Sequence, residues 1–356
     1  MFGYQSNIKP DWRNVQTAAA DNRLPARIPI YEHIVNPTFI DLLLPEPFSM
    51  LQRSKDPADV RRYFEVYNAF WRDMGYDTVS FECCVASIFP GGGALGSHVE
   101  GVIKTRADLD RYPWEELPDR YFAAFAPQFE AFLAALPPDM RAIGGVGNGL
   151  FECVQDLTGY MNLCYIREDD PELYRLLFER VGDVMLKIWN RFLPRYSERY
   201  VVCRMGDDMG FRTQTLLAPE DFRDHLVPGL KRIIEAVHGA GKPFLLHSCG
   251  NIFDIMPYLI GAGINAKHSN EDQIAPFSKW MREYGDKIAL FGGIDLNILC
   301  LESEQTIRDA VREKFELAKA HGTGFALGSG NSIPDYVPVD GYLAMIDEAN
   351  KQRSGG

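Results

Sequence analysis

The 356-residue sequence predicts one domain of the α/β class, a (β/α)8 TIM-type barrel. Three observations lead there. Short apolar runs with strand character alternate with helical patterns from residue 26 to the C-terminal helix, eight times over. No linker-like break interrupts them, so a single domain is expected over 1–356. Ionisable or amide side chains stand just past nearly every apolar run, where a barrel collects its functional groups. An open doubly wound sheet is the alternative arrangement of the same units.

An N-terminal extension leads into residues 26–31, the first expected strand, in which Pro29 needs a place outside the regular ladder. Asp56 followed by Pro57 reads as an N-cap and first helical position, opening an amphipathic helix to about Met74. Residues 77–82 form the second strand. The Gly-rich stretch 90–111 reads as a long irregular loop over one barrel mouth. Helical sequence covers 114–136, the third strand 142–146, helices 150–167 and 171–195, and the fourth strand 200–205. Past Pro219, Phe222, Leu226, Leu230, Ile233, Ile234 and Val237 make one apolar helical face. Strands at 244–246, 264–267, 288–291 and 324–327 follow with helices between them, and a last helix spans 339–349.

Composition narrows the class of function. A net charge of −12 argues against a nucleic-acid surface. No stretch approaches the roughly 20 apolar residues of a membrane span, and the first residues lack the pattern of a signal peptide. Seven cysteines without a CxxC pair read as free thiols in a reducing compartment, so a cytoplasmic protein is expected. Gly144 to Gly149 lacks the dinucleotide-binding spacing, and no phosphate-binding Gly-x-x-x-x-Gly-Lys motif occurs.

The chemistry concentrates in residues 242–251, where an apolar run enters His247-Ser248-Cys249-Gly250-Asn251. A strand continued through this stretch puts His247 and Cys249 on one face. Imidazole nitrogen beside thiolate sulfur suits a borderline-soft cation such as zinc, although a buried histidine beside an inert cysteine has the same spelling. At the other strand ends stand Glu32 and His33, Glu82, Asn148, Asp207 and Asp208, His268 to Glu271, Asp295, and Ser329 to Asn331. Strand ends meet water in any barrel, so polarity there is also the ordinary state. The adjacent carboxylates Asp207 and Asp208 are the candidate catalytic pair, because one of two neighbouring carboxyls can keep its proton near neutrality. A turn or a helix-dipole role is the plainer account of the same two residues.

Three segments then carry a family resemblance: Arg204-Met205-Gly206-Asp207-Asp208-Met209-Gly210, His247 to Asn251, and Gly328-Ser329-Gly330-Asn331-Ser332-Ile333-Pro334. In this order they resemble the uroporphyrinogen decarboxylase superfamily, and the His-x-Cys-Gly-Asn stretch resembles its corrinoid-dependent methyltransferases. The decarboxylases carry an Arg-Gln-Ala-Gly-Arg motif where this chain reads Tyr31-Glu32-His33-Ile34-Val35. The resemblance implies zinc held by His247 and Cys249, with a cysteine of the last-strand loop as third ligand. Asn331 stands at about that place here. Glu271, 22 residues past Cys249, is therefore the expected third ligand, as cobalamin-independent methionine synthase has a Glu at similar spacing. His268 and Asn331 compete for the role.

The implied reaction moves a methyl group from a small methylated substrate, an O-methyl compound such as an aromatic ether, to the Co(I) of a partner corrinoid protein. No Asp-x-His-x-x-Gly corrinoid motif occurs in this chain. Glu32, Asn148 and Asn331 are the expected substrate contacts. A cofactor-free tetrapyrrole decarboxylase and a non-catalytic barrel binding a small ligand or corrinoid protein are the alternatives. Pairing into a homodimer is left open.

Overall fold

A computed structural model of the chain describes residues 3–96 and 99–354. Its strands are β1 Thr78–Cys84, β2 Arg141–Gly147, β3 Tyr200–Gly206, β4 Phe244–His247, β5 Ala266–His268, β6 Ala289–Ile294 and β7 Phe325–Ser329. Every neighbouring pair is parallel, and the spatial order is the sequence order, β1 to β7. Helical crossovers between parallel strands in unbroken order curl the sheet as a TIM-type barrel does. The open doubly wound sheet, which reverses its strand order part-way, is excluded.

The first expected strand is reduced to one bridge, Ile30 to Leu327 of β7. Tyr31 N donates to Leu327 O at 2.8 Å and Leu327 N to Pro29 O at 2.9 Å. Extending this parallel ladder backwards needs an N–H on Pro29, which proline lacks. Extending it forwards needs the N–H of Ser329, and Glu32 takes it: Ser329 N donates to Glu32 Oε1 at 2.8 Å. On its other side the segment is tied to β1 by Ser80 Oγ donating to the Glu32 carbonyl at 2.5 Å. Side chains close the barrel here in place of a second ladder.

Elsewhere local chemistry decides the elements. Asp56 caps the helix Pro57–Asp73, accepting from Ala58 N at 2.7 Å, as expected. The expected helix 150–167 is two, Leu150–Thr158 and Tyr160–Asp169, broken at Gly159 with φ +75°. The stretch 90–111 is not all loop, since a box formed by Thr105 and Asp108 starts the helix Arg106–Arg111. Residues 97 and 98 of that stretch lie outside the described residues. After Pro219 the helix contains a π turn, Phe222–Leu226, directly before Val227–Gly239. Pro228 has no N–H to give the regular pattern at that point.

Strand periodicity sorts the interior into layers. An inner cluster holds Tyr31, Ile143, Val202, Leu245, Ala266, Phe291 and Ala326, with Val15, Ala18 and Ala19 of the helix Arg13–Asp21 packed into it. The N-terminal extension thus plugs the barrel floor. Two residues further along their strands, on the same inward face, come His33, Arg204, His247 and His268. Arg204 is 1% exposed and engages Glu82 Oε2 through Nε at 2.9 Å and Nη2 at 2.8 Å. Its Nη1 reaches Tyr31 Oη, the His33 carbonyl and Ser80 Oγ. Glu82 and Tyr31 hold the guanidinium charged against the opposing effect of burial.

Glu32 at the closure is fully buried, and burial pushes its carboxyl up to about 8, against the lowering effect of its bonds to Ser329. A protonated Glu32 fits the contacts. The single hydroxyl hydrogen of Ser329 faces two acceptors, Glu32 Oε2 at 2.5 Å and the Asn331 carbonyl at 2.8 Å, and a proton on Glu32 would let both contacts be hydrogen bonds. The folded pKa then exceeds the unfolded value of about 4.3, so the contribution is complete below that value and is lost as pH rises through about 8. One proton gives a slope of at most about 1.4 kcal/mol per pH unit. Glu32→Gln, which keeps one donor and one acceptor, is expected to flatten this slope between pH 5 and 8. Urea midpoints of both proteins across that range provide the measurement, and parallel profiles would exclude the assignment.

Candidate metal centre

The strand register brings the histidines together. Gly206 of β3 pairs with His247 of β4, and His247 pairs with His268 of β5. Neighbouring residues on one inward face bring His247 Nδ1 within 2.8 Å of His268 Nδ1. Across the closure, the His33 ring stacks on His247 with centroids 3.7 Å apart and planes 8° apart. Burial holds all three imidazoles neutral: His33 and His247 are pushed well below the usual range and His268 to about 3.

Cys249 lies beyond the end of β4, in the turn that follows, so it does not share the strand as expected. Its Sγ is nevertheless 3.4 Å from His247 Nε2. Two loops zipped together hold it there. Asp207 N donates to His247 O, Gly210 N to Cys249 O, and Asn251 N to Phe211 O. Gly250, at φ +82°, makes the contact possible, because a Cβ there would lie 2.2 Å from the Gly210 carbonyl carbon.

The two neighbouring carboxylates divide their tasks. Asp208 Oδ1 accepts from Cys249 N at 2.9 Å and lies 3.8 Å from His247 Nε2. Asp207 is engaged elsewhere, accepting from Phe151 N at 3.1 Å and Glu152 N at 3.0 Å at the start of the helix Leu150–Thr158. Gly149 leaves room for this, since a Cβ would sit 2.0 Å from Asp207 Cγ. Asp207 is 1% exposed, and its contacts are those of a helix-capping group. The carboxylate that faces Asp208 across the site is Glu152, which the sequence reading missed. Glu152 Oε1 accepts from Asp208 N at 3.3 Å and Oε2 from Asn148 Nδ2 at 2.8 Å. Burial, then the nearby Asp208, raises the Glu152 carboxyl to about 7. No sequence motif marks it, because it lies inside a helix rather than at a strand end.

The remaining expected residues surround this centre at different ranges. Asn331 Nδ2 donates to Glu271 Oε1 at 2.8 Å and approaches Cys249 Sγ at 3.5 Å, so one amide stands between Glu271 and the thiol. Asn148, at φ +62°, also accepts from Ala86 N at 3.2 Å and braces the β2 turn. Glu32 is committed to Ser329. His268 has both nitrogens occupied, since Nε2 is 2.9 Å from the Ser329 carbonyl. A cavity of about 430 Å³ lies elsewhere, between Val99, Lys104, Thr158, Tyr160, Met161 and Tyr165, and none of the centre's side chains lines it.

The donor set fits a zinc ion. One nitrogen, one sulfur and one carboxylate oxygen, from His247, Cys249 and Asp208, lie within 4.8 Å of one another. Burial and the Asp208 carboxylate push the Cys249 thiol up, a cost that a divalent cation removes by stabilising the thiolate. The three histidines form a second such group, but two of their nitrogens are spent on the bond between His247 and His268.

Residues 63–352 match the family model described as uroporphyrinogen decarboxylase (URO-D). The chain belongs to the uroporphyrinogen decarboxylase family. Its fold is similar to that of a methyltransferase from Methanosarcina mazei, at 15% identity over 95% of this chain and 98% of that one, with a TM-score of 0.67. It is also similar to a B12-independent methionine synthase from Shewanella sp. W3-18-1, solved in complex with selenomethionine, at 12% identity over 92% and 98% of the chains and a TM-score of 0.54. At these identities the likeness is one of fold. No curated protein matches this sequence. Among the described residues of this family member, no helix is long and apolar enough to cross a membrane.

Proposed function

We propose that this family member is a zinc-dependent methyltransferase that takes a methyl group from a small O-methylated substrate, aromatic ethers included, and delivers it to the Co(I) of a partner corrinoid protein. The observation that carries the reading is the convergence of His247 Nε2, at the end of β4, with Cys249 Sγ and Asp208 Oδ1 in the loops just past β4 and β3. His247, Cys249 and Asp208 would hold the ion, and Glu271 would stand behind Asn331 rather than in the ligand set. When bound, zinc would supply the Lewis acidity that polarises the substrate heteroatom. Burial and the nearby Asp208 raise the Glu152 carboxyl, which suits it to give a proton to the leaving oxygen. Asn148 orients that carboxyl through Oε2. Asn331, by bridging Cys249 and Glu271, lines the approach to the thiol. The acceptor is assigned to a separate corrinoid protein on the resemblance of His247 to Asn251 to the corrinoid-dependent methyltransferases.

Tetrapyrrole decarboxylation fits less well. A substrate with several carboxylates needs free guanidinium groups, and Arg204 inside the barrel is fully engaged by Glu82, Tyr31, Ser80 and the His33 carbonyl. The test is to incubate the purified protein with Co(I) corrinoid and a panel of methyl ethers, amines and thiols, following methyl-Co(III) by absorbance. Methylation from an ether supports the reading; none from any donor removes it. The third ligand has its own expectation. Asp208→Asn should weaken zinc binding by more than the roughly 10–100-fold of an outer partner, and Glu271→Gln by less. Chelator competition with each variant measures the difference, and the reverse order would return the ligand role to Glu271.

A further inference from the structure

We infer that His268 is the positioning residue that fixes the tautomer of His247 and so turns the His247 Nε2 lone pair toward Cys249. This rests on the metal reading above for its purpose, though not for its geometry. The Ser329 carbonyl can only accept, so the 2.9 Å contact requires the hydrogen of His268 to sit on Nε2. A neutral imidazole carries one hydrogen, which leaves His268 Nδ1 as an acceptor. The 2.8 Å contact between the two Nδ1 atoms is then a bond donated by His247 Nδ1–H. His247 Nε2 is consequently bare, 3.4 Å from Cys249 Sγ, as a metal-ligating nitrogen must be.

The chain of bonds starts at a rigid point. Ser329, whose carbonyl orders the sequence of donors, is the residue that Glu32 clamps at the barrel closure through N and Oγ. Tyr31 packs edge-on against the His268 ring at 5.2 Å, and His33 stacks flat on His247. His247 is 5% exposed and His268 has no exposed surface, so both rings find their hydrogen-bond partners within the protein rather than in bulk solvent. The closure of the barrel and the aim of the candidate ligand therefore share one hydrogen-bonded line, Glu32 to Ser329 to His268 to His247.

Three substitutions separate this role from mere filling of space. His268→Asn places a carbonyl oxygen near the position of Nδ1 and keeps the acceptor; His268→Gln keeps the donor to Ser329 but not that acceptor; His268→Leu keeps neither. The ring ¹⁵N shifts of His247 in metal-free protein are the direct readout, and they do not depend on zinc. Wild type and His268→Asn should show the hydrogen on Nδ1, and His268→Leu a shift of population to Nε2–H. Zinc affinity should fall about 10–100-fold in His268→Leu and His268→Gln and less in His268→Asn, in proteins whose melting curves show them folded. An Nε2–H tautomer in the wild type overturns the inference, as does an unchanged tautomer in His268→Leu. Nδ1–H in the wild type without zinc uptake would instead refute the metal assignment and uphold the role of His268.

Discussion

Cys249→Ala and His247→Ala are each expected to purify without zinc, and the wild-type chain with about one ion. Removing either leaves too few of the converging donors, because His268 has no free nitrogen and Glu271 is separated from the thiol by the Asn331 amide. The pH dependence has a definite sign. Burial already keeps His247 neutral, so it releases no proton on binding, whereas the Cys249 thiol is held up by burial and Asp208 and must release one. Affinity should therefore rise with pH by roughly tenfold per unit around neutrality. Elemental analysis and chelator competition at several pH values supply the data. Equal zinc content in wild type and Cys249→Ala would end the case for this centre.

The second large effect is structural. Arg204→Met is expected to cost about 3–5 kcal/mol, because it strands the Glu82 carboxylate in the barrel without its partner. The side chains of the pair are 1% and 9% exposed, so water cannot replace the guanidinium. Tyr31, Ser80 and the His33 carbonyl lose a donor at the same time. Adding Glu82→Gln should recover part of the loss by removing the uncompensated charge, and a double-mutant cycle on urea midpoints isolates the coupling. A single variant as stable as wild type would show that the pair contributes nothing. Since Arg204 also holds the His33 carbonyl, zinc affinity in the single variant should fall with stability.

The barrel was legible because its periodicities are local. Apolar runs of strand length between amphipathic helices are set by residues close in sequence, and so are caps such as Asp56 before Pro57. The first strand illustrates the limit. Residues 26–31 have strand composition, but the length of a ladder depends on which N–H groups the partner can reach. Pro29 and the Ser329–Glu32 bond removed the extensions on either side. Only the proline could be read in advance. The helix 150–167 shows the same limit, since Gly159 fits within the apolar pattern while its backbone turns the chain.

The sequence by itself determined that His247 and Cys249 would lie together, because two residues at the end of one apolar run cannot separate far. It determined that the mouth would be polar, because strand period and strand ends are properties of a single segment. The division between Asp207 and Asp208 was decided in three dimensions. Both follow the same strand, yet one meets the amides of a helix held across Gly149 and the other meets Cys249. The place of Glu271, the approach of Glu152 and the bond from His247 to His268 were likewise set by register and loop contact between segments far apart in sequence. Side-chain chemistry is written residue by residue, but which groups come within bonding distance depends on how neighbouring strands are aligned, and no single segment carries that information.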